Sequence, residues 1–267
     1  MEEGQVNVLI TGSAGFLGRN LNEGLKALRA GEIFGYDRDN TQDELEDFCR
    51  RADFVFNLAG VNRPDNTEEF YTGNAGFAGK LLDNLRRCGN RAPVMLSSSV
   101  QASLSGRYAG SDYGKSKLEA EELFFRYERE TGVPVYVYRF PNLAGKYIRP
   151  GYNSAVGTFC HNIAHGLPIR IDDPEYMLEL LFAEDVIVEL YGCMNGKPHR
   201  CNYAAGSVTP EPDENGRYCY CPVTYKATLG QIAGLLYSFH DGRDVPNDDF
   251  SRKLHRMYMS YVQEVQG

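Results

Sequence analysis

The chain has 267 residues, 42% of them hydrophobic and 24% charged, enough apolar material for one sizeable core or a large domain with a small lobe interleaved in it. A formal net charge of −8 argues against nucleic acid or an anionic membrane surface as the main partner, while a pocket with locally favourable charge still suits a small anionic ligand. No signal-peptide pattern precedes Val6, no apolar run approaches the ~20 residues of a membrane helix, and seven scattered cysteines fit free thiols of a reducing cytoplasm better than a disulfide framework.

In chain order, Val6–Ile10 reads as a buried parallel strand, followed by a glycine-rich turn and a helix over Phe16–Leu28. Glu32–Tyr36 is a second strand ending at Asp37 and Arg38. Thr41–Arg51 is a helix opened by a Thr41/Glu44 capping box, in which hydroxyl and carboxylate satisfy each other's backbone amides. Asp53–Asn57 is a strand, Glu68–Arg87 a helix, Pro93–Ser97 a strand, Lys115–Arg129 a helix and Val135–Arg139 a strand. Short apolar strands alternating with helices are the pattern of a doubly wound parallel sheet of the Rossmann type, an α/β fold, here expected over residues 1–146. After Lys146 the rhythm loosens. Ser154–His165 reads as a helix, Ile169–Ile171 as a short strand, Ala183–Cys193 as a helix and Ser207–Gly216 as a surface loop. Thr228/Gln231 forms a second capping box ahead of a helix over Leu229–Phe239. Residues 147–267 are therefore expected to be mainly a smaller, interleaved lobe that binds substrate, with some segments returning to the first domain.

Gly12, Gly15 and Gly18 follow the first strand with G-x-x-G-x-x-G spacing. The first permits a tight turn, the second lets backbone approach a pyrophosphate, and the third lets the helix pack against the strand. Glycines alone also punctuate loops; the strand before and the helix after favour a dinucleotide site. At the end of the second strand, Asp37 is suited to ribose hydroxyls, favouring NAD, and Arg38 to a 2′-phosphate, favouring NADP. Either residue alone is equally a solvated turn. Tyr113 and Lys117 lie at i and i+4, on one helical face, and a serine cluster, Ser97–Ser99, ends the preceding strand. The ammonium is expected to lower the phenol's pKa, so that the tyrosine exchanges a proton with an alkoxide as hydride arrives, with a serine hydroxyl holding the substrate oxygen.

These residues resemble the short-chain dehydrogenase/reductase superfamily, and its extended, nucleotide-sugar branch in particular: Asn57–Gly60, Ser97–Ser99, Tyr113–Lys117 and Arg139–Gly145 match in order. Ala59–Pro64, Ser97–Ala102, Tyr138–Asn142, Arg149–Ser154 and Ala227–Gln231 are similar to the reductase half of the capsular polysaccharide synthesis proteins of the CapF family, over nearly the whole chain. The resemblance implies a reductase of the C4 ketone of a UDP-2-acetamido-2,6-dideoxy-hexos-4-ulose, on the way to UDP-N-acetyl-L-fucosamine, in the cytoplasm and as a homodimer. It implies catalysis by Ser99, Tyr113 and Lys117. It further implies NADPH, with NAD(H) as the alternative, bound by Gly12, Gly15, Phe16, Leu17, Gly18, Asp37, Arg38, Leu58, Ala59, Gly60, Ser97, Ser98, Tyr113, Lys117, Phe140 and Pro141. The UDP-sugar is expected at Arg63, Ser99, Asn142, Asn153 and Ser154, with Lys146, Arg149 and Arg170 as further cations. Members of that family carry a cupin-type domain after the reductase, and no cupin segment is read in these 267 residues; either the sequence is part of a longer chain or a separate cupin-type epimerase is the partner.

Rival readings remain on the same residues. A 4,6-dehydratase would carry Thr-Asp-Glu where Ser99, Val100 and Gln101 stand, which weighs against it. An NAD-dependent 4-epimerase shares the Ser-Tyr-Lys set, and a non-catalytic nucleotide-sensing module shares the fold. His199, Cys201, Cys219 and Cys221 would suit structural zinc if a hairpin joined them, although buried cysteine is commonly a small hydrophobe; no metal is expected. His161 and His165 lack a metalloprotease glutamate and read as helix-surface or pocket residues.

Overall fold

The computed structural model describes residues 5–266; residues 1–4 and 267, assigned from sequence to the ends of the two domains, lie outside the described residues. The chain divides into two compact units, Met1–Phe140 with Ile187–Tyr220, and Pro141–Val186 with Cys221–Gly267.

The first unit is a mostly parallel sheet with helices. Its leading elements are β1 (Val8–Thr11), α1 (Phe16–Ala27), β2 (Ile33–Tyr36), α2 (Gln42–Arg51) and β3 (Phe54–Asn57). Then come α3 (Glu68–Tyr71), a π-turn over Thr72–Gly76, α4 (Phe77–Cys88), β4 (Val94–Ser99), α5 (Asp112–Thr131) and β5 (Val135–Phe140). The strands lie in the order β2-β1-β3-β4-β5, all parallel, so the order reverses beside β1, where open α/β sheets bind ligands. Continuous apolar runs explain the burial: Val8–Ile10, Val55–Phe56 and Val94–Met95 are fully buried, packed under Leu81, Leu85 and Phe124 of the helices.

Two helices differ from their sequence reading. The stretch expected as one helix over Glu68–Arg87 is broken by the π-turn. Asn74, in that turn, spends its side chain outside the helix: it receives the Val61 amide at 3.0 Å and donates to the Val61 carbonyl and the Ser116 hydroxyl, both at 2.9 Å. The helix expected from Lys115 starts at Asp112, because the Ser111 hydroxyl caps the Gly114 amide at 2.9 Å. That shift puts Tyr113 in the first turn.

Past α7 (Ala183–Met194), the first unit ends in β8 (Arg200–Asn202), β9 (Glu211–Pro212) and β10 (Tyr218–Cys219), which extend the sheet as β5-β10-β8-β9. Part of the expected Ser207–Gly216 loop is thus the short edge strand β9, ending at proline, which has no amide to donate. The second unit carries its own three-stranded sheet, with the order β11 (Tyr225–Thr228), β7 (Met177–Phe182), β6 (Asn142–Ala144). It also holds α6 (Ala155–Ala164), α8 (Leu229–His240) and α9 (Asp249–Gln266). No strand forms over 169–171: Ile169 and Ile171 are half-buried and Arg170 is exposed, but the segment pairs with no neighbouring strand. α9 is an addition to the sequence reading, held by buried Leu254, Met257, Tyr258 and Tyr261 at helical spacing.

Candidate active site

Thr11 leads from β1 into a turn that only glycine fits. Gly12 has φ +70°, and a Cβ there would lie 2.7 Å from the Ala59 amide nitrogen; a Cβ on Gly18 would run into the Gly12 carbonyl. The three loop segments after β1, β2 and β3 thereby close on one another. Helix α1 begins with Gly15 as its N-cap, without a side-chain cap, so the first-turn amides around Phe16, Leu17 and Gly18 are left to an external acceptor. A cavity of about 550 Å³ opens in front of them, lined by Gly12, Gly15, Asp37, Arg38, Leu58 and Gly73 among others. Missing side chains, uncapped amides and an adjoining cleft fit a dinucleotide with its pyrophosphate at the helix start. Leu58, Ala59 and Gly60 form the opposite wall.

Asp37 and Arg38 part company here. One carboxylate oxygen of Asp37 receives the Ser13 hydroxyl at 2.5 Å and the Ala14 amide at 2.8 Å, so Asp37 pins the glycine loop. Arg38 is exposed at the cavity rim.

Strand β4 delivers the serine cluster. Ser97 lends its carbonyl to the Lys117 ammonium at 3.0 Å. Ser98, expected at the cofactor, faces the other way and donates its hydroxyl to Glu121 at 2.5 Å. Ser99, 9% exposed, receives the Gln101 amide at 3.2 Å, and its hydroxyl acts to lower the pKa of the Tyr113 phenol. Tyr113 packs against Phe70 with ring centroids 5.8 Å apart, and the Lys117 nitrogen lies 5.8 Å from the Tyr113 ring centre. Phe140 is buried, in register with Ser99 across β4–β5. The structure thus brings Ser99, Tyr113 and Lys117 together.

One expectation is corrected. Lys117 was to lower the phenol's pKa; instead, burial pushes Tyr113 up to about 12, with the Ser99 hydroxyl opposing the rise. Burial likewise draws Lys117, 5% exposed, down from 10.5 to about 8, and the Glu121 carboxylate opposes that fall. Desolvation outweighs the pairing for both groups.

In the second unit, Asn142 starts β6 and donates to the Glu179 carbonyl at 3.1 Å, next to Pro141. Asn153 is exposed, and Ser154 uses its hydroxyl to cap α6 through the Gly157 amide at 3.1 Å. Arg63 is exposed on the first unit's loop after β3.

Residues 8–199 match the NAD dependent epimerase/dehydratase family. The chain belongs to that family. It is also 35% identical over 264 residues to the UDP-2-acetamido-2,6-beta-L-arabino-hexul-4-ose reductase of Pseudomonas aeruginosa, covering 97% of this chain and 66% of that protein. The crystal structure of the capsular polysaccharide assembling protein CapF from Staphylococcus aureus superposes with a TM-score of 0.81 at 35% identity, covering 97% of this chain and 66% of that one. WbmF of Bordetella bronchiseptica, solved with NAD+ and UDP, gives a TM-score of 0.78 at 15% identity over 98% and 94% of the two chains, a likeness of fold alone. The chain spans about two thirds of the length of the Pseudomonas and Staphylococcus proteins.

Within this epimerase/dehydratase chain, His199, Cys201, Cys219 and Cys221, weighed above as a zinc set, have other surroundings. The His199 ring is bound to Glu189 at 2.5 Å, and Cys201 and Cys219 are fully buried in β8 and β10, burial pushing their thiols up to about 11 and about 12. Among the described residues, no three His, Cys, Asp or Glu side chains are grouped to hold a metal ion. Asn74 and Glu121 were absent from the sequence reading. A buried Asn in a glycine-rich helix and a Glu one turn beyond Lys117 were the only signals, and neither names its distant partner.

Proposed function

We propose that the chain reduces the C4 ketone of a UDP-2-acetamido-2,6-dideoxy-hexos-4-ulose, with NADPH as the preferred reductant. The observation that carries this reading is the buried Lys117 ammonium 5.8 Å from the Tyr113 ring centre with Ser99 at the end of β4, in the same unit as the glycine-lined cavity. The activity for which the Pseudomonas relative is named, at 35% identity, supports the sugar. When bound, the nicotinamide supplies the hydride. Tyr113, whose pKa stands above the ordinary phenol value, stays protonated at neutral pH and donates that proton to the oxygen of the reduced carbon. Ser99 holds the same oxygen by hydrogen bond. Lys117, largely an ammonium at neutral pH, stabilises the phenolate as it forms. For the UDP diphosphate we assign Asn142, Asn153 and Ser154 of the second unit as donors, since a buried diphosphate needs hydrogen bonds or cations. The same reading expects a cytoplasmic homodimer that works with a cupin-type epimerase.

NADPH is favoured because Asp37 is occupied with the glycine loop, while the Arg38 guanidinium at the cavity rim suits a 2′-phosphate. Titration of the protein with NADPH and NADH, with and without UDP, tests this. NADPH should bind at least about tenfold more tightly, and Arg38→Ala should erase the difference. Equal affinities, unchanged by Arg38→Ala, would contradict the cofactor preference; no binding of either dinucleotide would contradict the reading as a whole.

A further inference from the structure

Neither the hydride nor the proton step above uses Gln101, yet this residue meets the site from two sides. β4 ends at Ser99, and the chain passes through a short 3-10 turn, Val100–Ser103, before it reaches α5. The Gln101 backbone amide donates to Ser99 Oγ at 3.2 Å. Its carbonyl accepts the Leu104 amide at 3.1 Å and presses on α5, so that a Cβ on Gly114 would collide with it. Its side-chain Oε1 accepts the Ser111 hydroxyl at 2.9 Å. Ser111 is the N-cap of α5 and receives the Gly114 amide at 2.9 Å.

These bonds have a direction. The Ser111 oxygen already accepts from Gly114, and its single proton goes to Oε1, so the Gln101 side chain serves there as an acceptor. The Ser99 oxygen, accepting the Gln101 amide, keeps its own proton to give away, which is what holding a substrate oxygen requires. Tyr113 stands in sequence between Ser111 and Gly114, the two residues of the α5 start that Gln101 touches. Among the described residues, the Gln101–Ser111 bond is the one side-chain hydrogen bond between the turn and the start of α5. One side chain therefore links the hydroxyl that ends β4 to the helical turn that carries the phenol.

We propose that Gln101 is a positioning residue for Ser99 and Tyr113: tied to Ser111, it holds the turn so that both hydroxyls meet the same substrate oxygen. This rests on the roles given to Ser99 and Tyr113 above and deepens that reading.

The test is steady-state reduction of the UDP-2-acetamido-2,6-dideoxy-hexos-4-ulose by NADPH, with NADPH affinity titrated on each variant. Gln101→Met keeps the length of the side chain but offers Ser111 no acceptor. It should lower kcat by roughly tenfold or more, because small misplacements of reacting groups are costly, and leave KM and NADPH affinity unchanged. Gln101→Glu keeps the acceptor and should retain most of kcat. Ser111→Gly removes the same bond from the other side at little cost to the helix start, and should repeat the loss even if Gln101→Met does not fold. In a Ser99→Ala background, Gln101→Met should cost less than about threefold more, since the hydroxyl it aligns is already gone. Full kcat in both Gln101→Met and Ser111→Gly would overturn the proposal, as would an undiminished loss on top of Ser99→Ala. A Gln101→Glu variant as slow as Gln101→Met would overturn it too, by making the amide N–H the group that matters. No turnover by the unaltered protein would instead defeat the proposed function, and this proposal with it.

Discussion

Lys117 sits in the core with its ammonium on a backbone carbonyl, and its pKa falls from 10.5 to about 8 because the charged form has lost its water. The folded protein then holds the proton more weakly than the unfolded chain. Between pH 8 and 10.5 the unfolded state binds more protons, so stability rises with pH across that window; below it the buried charge costs about 3 kcal/mol. Lys117→Met should therefore be more stable than the parent at pH 7, by about 2 kcal/mol once the lost Ser97 hydrogen bond is counted, and the advantage should vanish above pH 10.5. Denaturant unfolding at pH 7 and pH 10.5 measures it; a variant less stable at pH 7 would contradict the burial argument. At this scale the sequence carried much of the site. Gly12, Gly18, Tyr113 and Lys117 declare themselves because their spacing alone sets their local geometry, whereas Ser99 is singled out from Ser97–Ser99 by the family resemblance. Ser98, Asn74 and Glu121 do not. Each acts on a residue more than 12 positions away, and which face of β4 or α5 meets which neighbour depends on a register that only the assembled sheet fixes.

The two capping boxes form as read, Thr41 with Glu44 and Thr228 with Gln231, since each needs only four consecutive residues. In the second box the Gln231 amide donates to the Thr228 hydroxyl at 3.2 Å, and the Gln231 side chain receives the Thr228 amide at 2.9 Å. Thr228→Ala removes the first of these and should cost about 1 kcal/mol, lowering the melting temperature by about 2–4 °C in calorimetry. No change would mean that the start of α8 is held by β11 pairing instead. The parallel strands β1 to β5 were legible for a similar reason, as short apolar runs between helices. The later strands were not. β8, β9 and β10 are two or three residues long, too short to show alternation, and are strands only because β5 offers them an edge. α9 did carry a signal, the spacing of Leu254, Met257, Tyr258 and Tyr261, hidden among charged and polar neighbours.

For the whole molecule, the fold and family rest on the matched residues 8–199 and on the parallel sheet whose order reverses beside β1. No helix among the described residues is long and apolar enough to cross a membrane. With a net charge of −8, the binding of an anionic nucleotide must rest on local donors, the first turn of α1 and the guanidinium of Arg38, and not on the overall field. The account's central claim is that Tyr113 delivers a proton as a sugar ketone is reduced. Its most direct measurement is the consumption of NADPH by the purified protein given a UDP-2-acetamido-2,6-dideoxy-hexos-4-ulose, run beside Tyr113→Phe. The unaltered protein should oxidise one NADPH per ketone, while Tyr113→Phe, binding NADPH equally well, should be slowed by roughly 10²–10⁴-fold. Reduction at full rate by Tyr113→Phe, or none by the unaltered protein, would contradict it.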